Sequence, residues 1–453
     1  MHCDPRFSRV REVFERHFAD GEELGAAFAV HLDGELVVDL WDGVADRHTG
    51  RPWERDTPAF VYSCTKAVTA AVLLQLVERG LVDVAAPVTE VWPEFAAGGK
   101  QAVTVEHLLS HQAGLPALEE PVPVEEFEDQ PAIAARLAGQ RPLWEPGSAH
   151  GYHALTYGFL VGEVVRRVTG KSVGELASAE IAGPLGLELW VGAPDSVIGR
   201  AARLTAGERP RNDRPAATTA TTTVTAVTEP TPPGPEPAGG EAAGAGGESA
   251  GTGDEAVGAG SESAGTGDEA VGAGSQAAGA GSQAAAGGGR MANVLDEMAK
   301  AALDPDSLMN RALGNPAINL LKGGANNPVI LRAGWPAAGM VTTARGLAGF
   351  YRALIAGEIL RPATLQEALR PRVNGPDRVL HLNSSFGLGF MRPSMTFLVP
   401  SRSAFGHSGA GGSMGVGDPE RGLAIGYVMN RMANAISGNL RGMRLLQAVY
   451  DSL

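Results

Sequence analysis

The tetrapeptide Ser63-Cys64-Thr65-Lys66 sets a hydroxyl three residues before an amine. A serine hydroxyl is a weak nucleophile and needs a base. A lysine serves as that base only if burial or nearby positive charge lowers its pKa. The apolar run 65–79 follows and ends at Gly80, which predicts a helix closed by a glycine cap. Ser63 then falls at the helix start and Lys66 one turn later, on the same face, where the two groups can meet. The helix N-terminus adds positive potential and free N–H groups suited to a developing oxyanion. Spacing alone leaves a second reading open: a serine N-cap followed by a solvated lysine. His107 and His111 have the spacing of a zinc-binding helix, but Leu108 stands where His-Glu-x-x-His carries its glutamate, which argues against a metal.

The elements that must position this pair can be read from periodicity. Phe7, Val10, Val13, Phe14 and Phe18 recur at helical spacing. Residues 26–32 and 35–41 are β-rich, and Asp33-Gly34 between them is a hairpin signal. Helices are expected at 105–111, 155–168, 346–355 and 433–450, and strands at 386–390 and 422–429. Strands at both ends with helices between predict one sheet closed by the two termini, with a helical region inserted in the middle.

Composition bounds the rest. The chain has 453 residues, 44 % of them hydrophobic, enough for a sizeable core. From Thr205 to Gly289 there is no Phe, Trp or Tyr, and residues 248–261 are repeated without change at 262–275. Each repeat has one Val and no larger apolar side chain, so it cannot bury a face; 205–289 reads as a disordered insertion. That stretch holds eleven of the acids and three of the bases, so much of the net charge of −14 belongs to it. No basic cluster points to nucleic acid, and no run of about eighteen apolar residues points to a membrane span. Cys3 and Cys64 do not make a disulfide framework or a cysteine metal site. No export signal is evident at the N-terminus, so a soluble cytoplasmic protein is expected.

The run from Val61 to Val84, with Ser63, Lys66, Thr69, Leu76 and Gly80, followed by Thr104, His107–Ser110-His111, Gly114 and Pro116, resembles the start of class C β-lactamases, DD-peptidases and family VIII carboxylesterases. The resemblance implies the transpeptidase-like α/β fold of that family, an antiparallel sheet flanked by helices with a helical lobe inserted. It covers roughly 8–204 and 291–453; the hydrolase domain is expected from 1–204 together with 290–453. It implies Ser63 as nucleophile and Lys66 as base. Pro146-Gly147 and the stretch after Gly151 are similar to the family's tyrosine motif and place its phenol at Tyr152, where it would relay a proton; Tyr157 is the alternative phenol. Ala154 stands where β-lactamases and peptidases usually carry Asn, which weakens an amide-cleaving reading. His407-Ser408-Gly409 resembles the family's Lys-Thr-Gly strand and would line the substrate site, and the N–H of Ala410 would join that of Ser63 in an oxyanion hole. Residues 334–345 resemble a further family segment.

The reading is thus a serine hydrolase acting on small-molecule esters through an acyl-enzyme, with no metal or organic cofactor and no nucleic-acid or membrane partner. A β-lactamase or DD-peptidase, an acyltransferase of the same fold and a non-catalytic scaffold are the alternatives.

Overall fold

Along Gly25–Leu32 the side chains alternate between two cores. Ala27 and Ala29 face one, and Ala26, Phe28 and Val30 face the other. The neighbouring strand Leu423–Met429 repeats the division, with Ala424 and Val428 on one side and Ile425 and Tyr427 on the other. Period-two alternation makes this segregation automatic. Small residues on the first face bring the Ala344–Ile355 helix close: a Cβ on Gly426 would lie 2.3 Å from the Ala344 carbonyl oxygen. Bulky residues on the second face meet Val10 and Phe14 of the Ser8–Ala19 helix and Leu445 and Val449 of the Leu440–Tyr450 helix.

The computed structural model describes residues 1–206, 296–433 and 438–453. Nearly all of the expected insertion at 205–289 lies outside the described residues, as do 434–437 within the last expected helix. Thr205 itself belongs to the body: its N–H donates to the Asn430 carbonyl at 2.7 Å, and its own carbonyl accepts the Met432 N–H at 2.9 Å.

The main sheet is antiparallel, in the order His2–Cys3, Glu35–Asp46, Gly25–Leu32, Leu423–Met429, Met414–Asp418, Phe405–Ser408. Arg51–Pro52 pairs with the end of Glu35–Asp46. The two ends of the chain join at its centre, in register from Leu423 opposite Leu32 to Met429 opposite Ala26. The α/β sheet flanked by helices, expected from the sequence, is the architecture observed. A helical lobe of Thr65–Glu78, Val105–Leu109, Gln130–Gly139 and Thr156–Thr169 packs beside it.

One strand is displaced from its expected place. The strand runs Asn383–Phe386, not 386–390. Gly387 lies so close to the Ala368 carbonyl that a Cβ would sit 2.1 Å from its oxygen, and Gly389 takes φ +81° against Ala70. Two glycines chosen for close approach and a left-handed turn end the pairing. Among the described residues no helix is long and apolar enough to cross a membrane.

Candidate active site

Ser63 and Lys66 emerge where a short turn, Tyr62–Cys64, runs into the Thr65–Glu78 helix. Tyr62 carries φ +45°, a conformation that costs a non-glycine residue on the order of 1–3 kcal/mol and turns the chain sharply just before Ser63. The turn is pinned from several sides. The Thr65 hydroxyl donates to the Tyr62 carbonyl at 2.5 Å and accepts the Met340 N–H at 3.0 Å. The Cys64 thiol donates to the His407 carbonyl at 3.4 Å, tying the turn to the edge strand of the sheet. Burial pushes that thiol up to about 12, so Cys64 acts as packing.

Lys66 is fully buried. Its Nζ lies 3.2 Å from Ser63 Oγ, 2.7 Å from the Ala154 carbonyl and 3.0 Å from the Ala337 carbonyl. Desolvation holds the amine well below its ordinary value. A neutral amine has two N–H groups and one lone pair. The two carbonyls take both N–H groups, which leaves the lone pair for the Ser63 hydroxyl. The solvated-lysine reading therefore does not describe this residue.

Tyr152 is 5 % exposed, and its ring lies 4.9 Å from Lys66 Nζ. Burial raises the phenol well above its usual range, against the opposing effect of a hydrogen bond with Ser63. It is a neutral phenol at any ordinary pH. Tyr157, the alternative, is completely buried, with its hydroxyl 3.5 Å from the main-chain carbonyl of Lys66, to which it donates.

His407 is buried and neutral. Desolvation, with Lys66 as a further cause, lowers it to about 3. Its Nδ1 lies 2.8 Å from the Ser408 carbonyl, so Nδ1 carries the proton. His407, Ser408 and Gly409 form the floor behind the turn; a Cβ on Gly409 would lie 2.2 Å from the Val61 carbonyl oxygen. Ala410 reaches the cavity wall together with Ser63. His107 and His111 do not converge: His107 Nδ1 accepts the Thr104 N–H at 3.3 Å at the helix start, while His111 lies buried beyond the helix end. Among the described residues no group of three or more His, Cys, Asp or Glu side chains could hold a metal ion.

Ser63 opens into a cavity of about 540 Å³. Its walls are mostly apolar, among them Phe60, Leu155, Leu313, Ile330, Trp335 and Met432, with Asn319 as a polar side chain and no charged side chain among the described lining residues. The sequence reading did not find the Leu313–Ile318 wall or the two carbonyls on Lys66. The carbonyl of Ala337 lies inside the segment 334–345 that resembled the family, and that resemblance was the available signal.

The family model for beta-lactamase matches residues 10–450. The chain belongs to the beta-lactamase family. It is 32 % identical over 442 residues to "Esterase/beta-lactamase LipL" of Mycobacterium tuberculosis, covering 96 % of this chain and 83 % of that protein. "Esterase EstB" of Burkholderia gladioli is 32 % identical over 198 residues, 40 % of this chain and 50 % of that protein. Among solved structures, a family VIII carboxylesterase superposes with a TM-score of 0.75 at 31 % identity, covering 100 % of this chain and 99 % of that one. A penicillin-binding protein homologue from Caulobacter crescentus gives a TM-score of 0.74 at 35 % identity, covering 100 % and 99 %.

Proposed function

We propose that this protein is a serine hydrolase that cleaves uncharged carboxylic esters, with Ser63 as nucleophile, Lys66 as base and Tyr152 as proton donor. One observation carries the reading: a fully buried amine, held well below its ordinary value by desolvation, at 3.2 Å from a serine hydroxyl that opens into a mostly apolar cavity. The ester-cleaving names of its relatives point the same way. The catalytic body is assigned to 1–204 with 290–453, extended by Thr205, which pairs with Asn430 and Met432.

The steps follow from the groups present. The Ser63 proton passes to Lys66 as Oγ attacks the acyl carbon. The oxyanion forms beside the N–H groups of Ser63 and Ala410, each worth a few kcal/mol to the transition state (about 3–4 by analogy with single-donor deletions). The C–O bond to the alcohol then breaks, Tyr152 gives its proton to the departing oxygen, and Lys66 replaces it. Water repeats the sequence on the acyl-enzyme. His407, Ser408 and Gly409 back the substrate-facing turn and hold Ala410 in place.

β-Lactams and peptidoglycan stem peptides carry a carboxylate. A cavity with no cation among its described lining residues disfavours them, since an unpaired anion loses its hydration there. The test is hydrolysis of p-nitrophenyl butyrate beside a chromogenic cephalosporin. The parent should turn over the ester efficiently and the cephalosporin poorly, and Ser63→Ala should lower ester kcat/KM by about 10³-fold or more. A folded parent that favours the cephalosporin would overturn the substrate assignment, and an active Ser63→Ala would overturn the nucleophile.

A further inference from the structure

The hairpin of Val373–Pro376 and Asn383–Phe386 leans its turn on residues 150–152. Asp377 opens that turn and is 3 % exposed. Its Oδ1 accepts the N–H groups of Val379 and Leu380, both at 2.9 Å, and also that of Tyr152 at 3.0 Å, from a segment 225 residues away. Its Oδ2 accepts the Ser384 hydroxyl at 2.8 Å. That commits the one proton of Ser384, so Ser384 Oγ accepts from His150 Nε2 at 2.9 Å. Among the described residues Asp377 has no ion-pair partner.

A buried carboxylate without a cation is unfavourable unless its oxygens are fully hydrogen-bonded. The turn by itself does not require the charge, because asparagine caps such turns equally well. The contact that reaches beyond the turn is the one to Tyr152. Other groups hold the same stretch. The Arg378 N–H donates to the His150 carbonyl at 3.1 Å, and Phe386 stacks on the Tyr152 ring at 6.0 Å. His111 brackets the residue, accepting the Gly151 N–H on its carbonyl at 3.1 Å and the His153 N–H on Nδ1 at 3.1 Å. Three consecutive N–H groups, 151 to 153, are thus each fixed from outside the segment.

We propose that Asp377 is a positioning residue that fixes the main chain of Tyr152 so that its phenol stays aimed at Ser63. The inference rests on the proton-donor role assigned to Tyr152 above. Burial keeps the proton on Tyr152 for the leaving group, and the nearby Asp377 carboxylate acts in the same direction as a smaller contribution.

The experiment compares kcat/KM on two butyrate esters. The p-nitrophenolate of one departs without a proton; the ethoxide of the other must receive one. Tyr152→Phe should widen the p-nitrophenyl to ethyl ratio by about a hundredfold. Asp377→Ala and Asp377→Glu should each widen it by about tenfold, the second because the charge remains while the carboxylate is displaced. Asp377→Asn keeps an acceptor for the Tyr152 N–H and should stay within about threefold of the parent. General loosening of the fold would lower both esters together and leave the ratio alone. If Tyr152→Phe leaves the ratio unchanged, the role of Tyr152 falls and this inference with it. If Tyr152→Phe widens it and folded Asp377→Ala or Asp377→Glu does not, only the inference falls. Should neither Asp377 variant fold, Ser384→Ala, which frees one carboxylate oxygen, decides on the same ratio: about tenfold widening supports the proposal, and a ratio within about threefold of the parent overturns it.

Discussion

Lys66 and Lys100 are both completely buried, and neither has an ion-pair partner among the described residues. They differ in how many carbonyls surround the nitrogen. Lys100 Nζ donates to the carbonyls of Ala97 at 2.5 Å, Ala138 at 2.9 Å and Gln140, with the Phe95 ring 5.2 Å away. Three acceptors match the three N–H groups of an ammonium. Burial lowers this lysine to about 8, which still leaves it charged at neutral pH, where it caps the end of the Gln130–Gly139 helix. Lys66 has two carbonyls and a hydroxyl, so its third position suits a lone pair. One missing carbonyl separates a structural cation from the proposed base.

Substitution should separate the two most sharply. Lys66→Met is expected to lower kcat/KM for p-nitrophenyl butyrate by about 10³- to 10⁴-fold. Its unfolding free energy should change by less than about 2 kcal/mol, because loss of a buried amine offsets the loss of two hydrogen bonds. Retention of a tenth of the parent rate would break the assignment of the base. Lys100→Met should do the reverse. It strands three buried carbonyls and should cost about 2–4 kcal/mol in denaturant unfolding, with the specific activity of the folded fraction unchanged. An inactive but stable Lys100→Met would show that the two sites are coupled.

The pH profiles sharpen the comparison with smaller effects. As the proposed base Lys66 would work deprotonated, so kcat/KM should climb with rising pH and reach its plateau well below the ordinary 10.5 of lysine. A limb that rises only near that value would mean an exposed amine. Lys100 enters through stability. The unfolded chain keeps its proton up to 10.5 and the folded one up to about 8, so between those values the unfolded state binds more protons. This contribution to stability therefore grows as pH rises through that window and is lost as pH falls through about 8. Urea unfolding of the parent minus Lys100→Met at pH 7.5 and pH 10 should show that difference; equal offsets would refute it.

Much of the architecture was legible because it rests on local periodicity. The alternation in Gly25–Leu32, the Asp33-Gly34 turn and the helix ending at Gly80 all appear where pattern predicts. Gly80 takes φ +69°, the left-handed cap expected of it. The strand at 386–390 was misplaced because Phe386 and Phe390 have the right side chains, while what ends the strand is the approach of Ala368 and Ala70, hundreds of residues apart from each other in sequence. Pattern along one segment contains no information about a neighbour's backbone.

What the sequence determined by itself was which residues are available and which can meet locally: a serine and a lysine three apart, on one helical face, after a turn. Tertiary structure decided what the lysine is. The carbonyls that would leave Lys66 a free lone pair come from Ala154 and Ala337, 88 and 271 residues away, and the burial that lowers its pKa is completed by the packing of those distant segments. A pKa is set by the dielectric and the hydrogen-bond partners around a group, and those exist only once distant segments have packed.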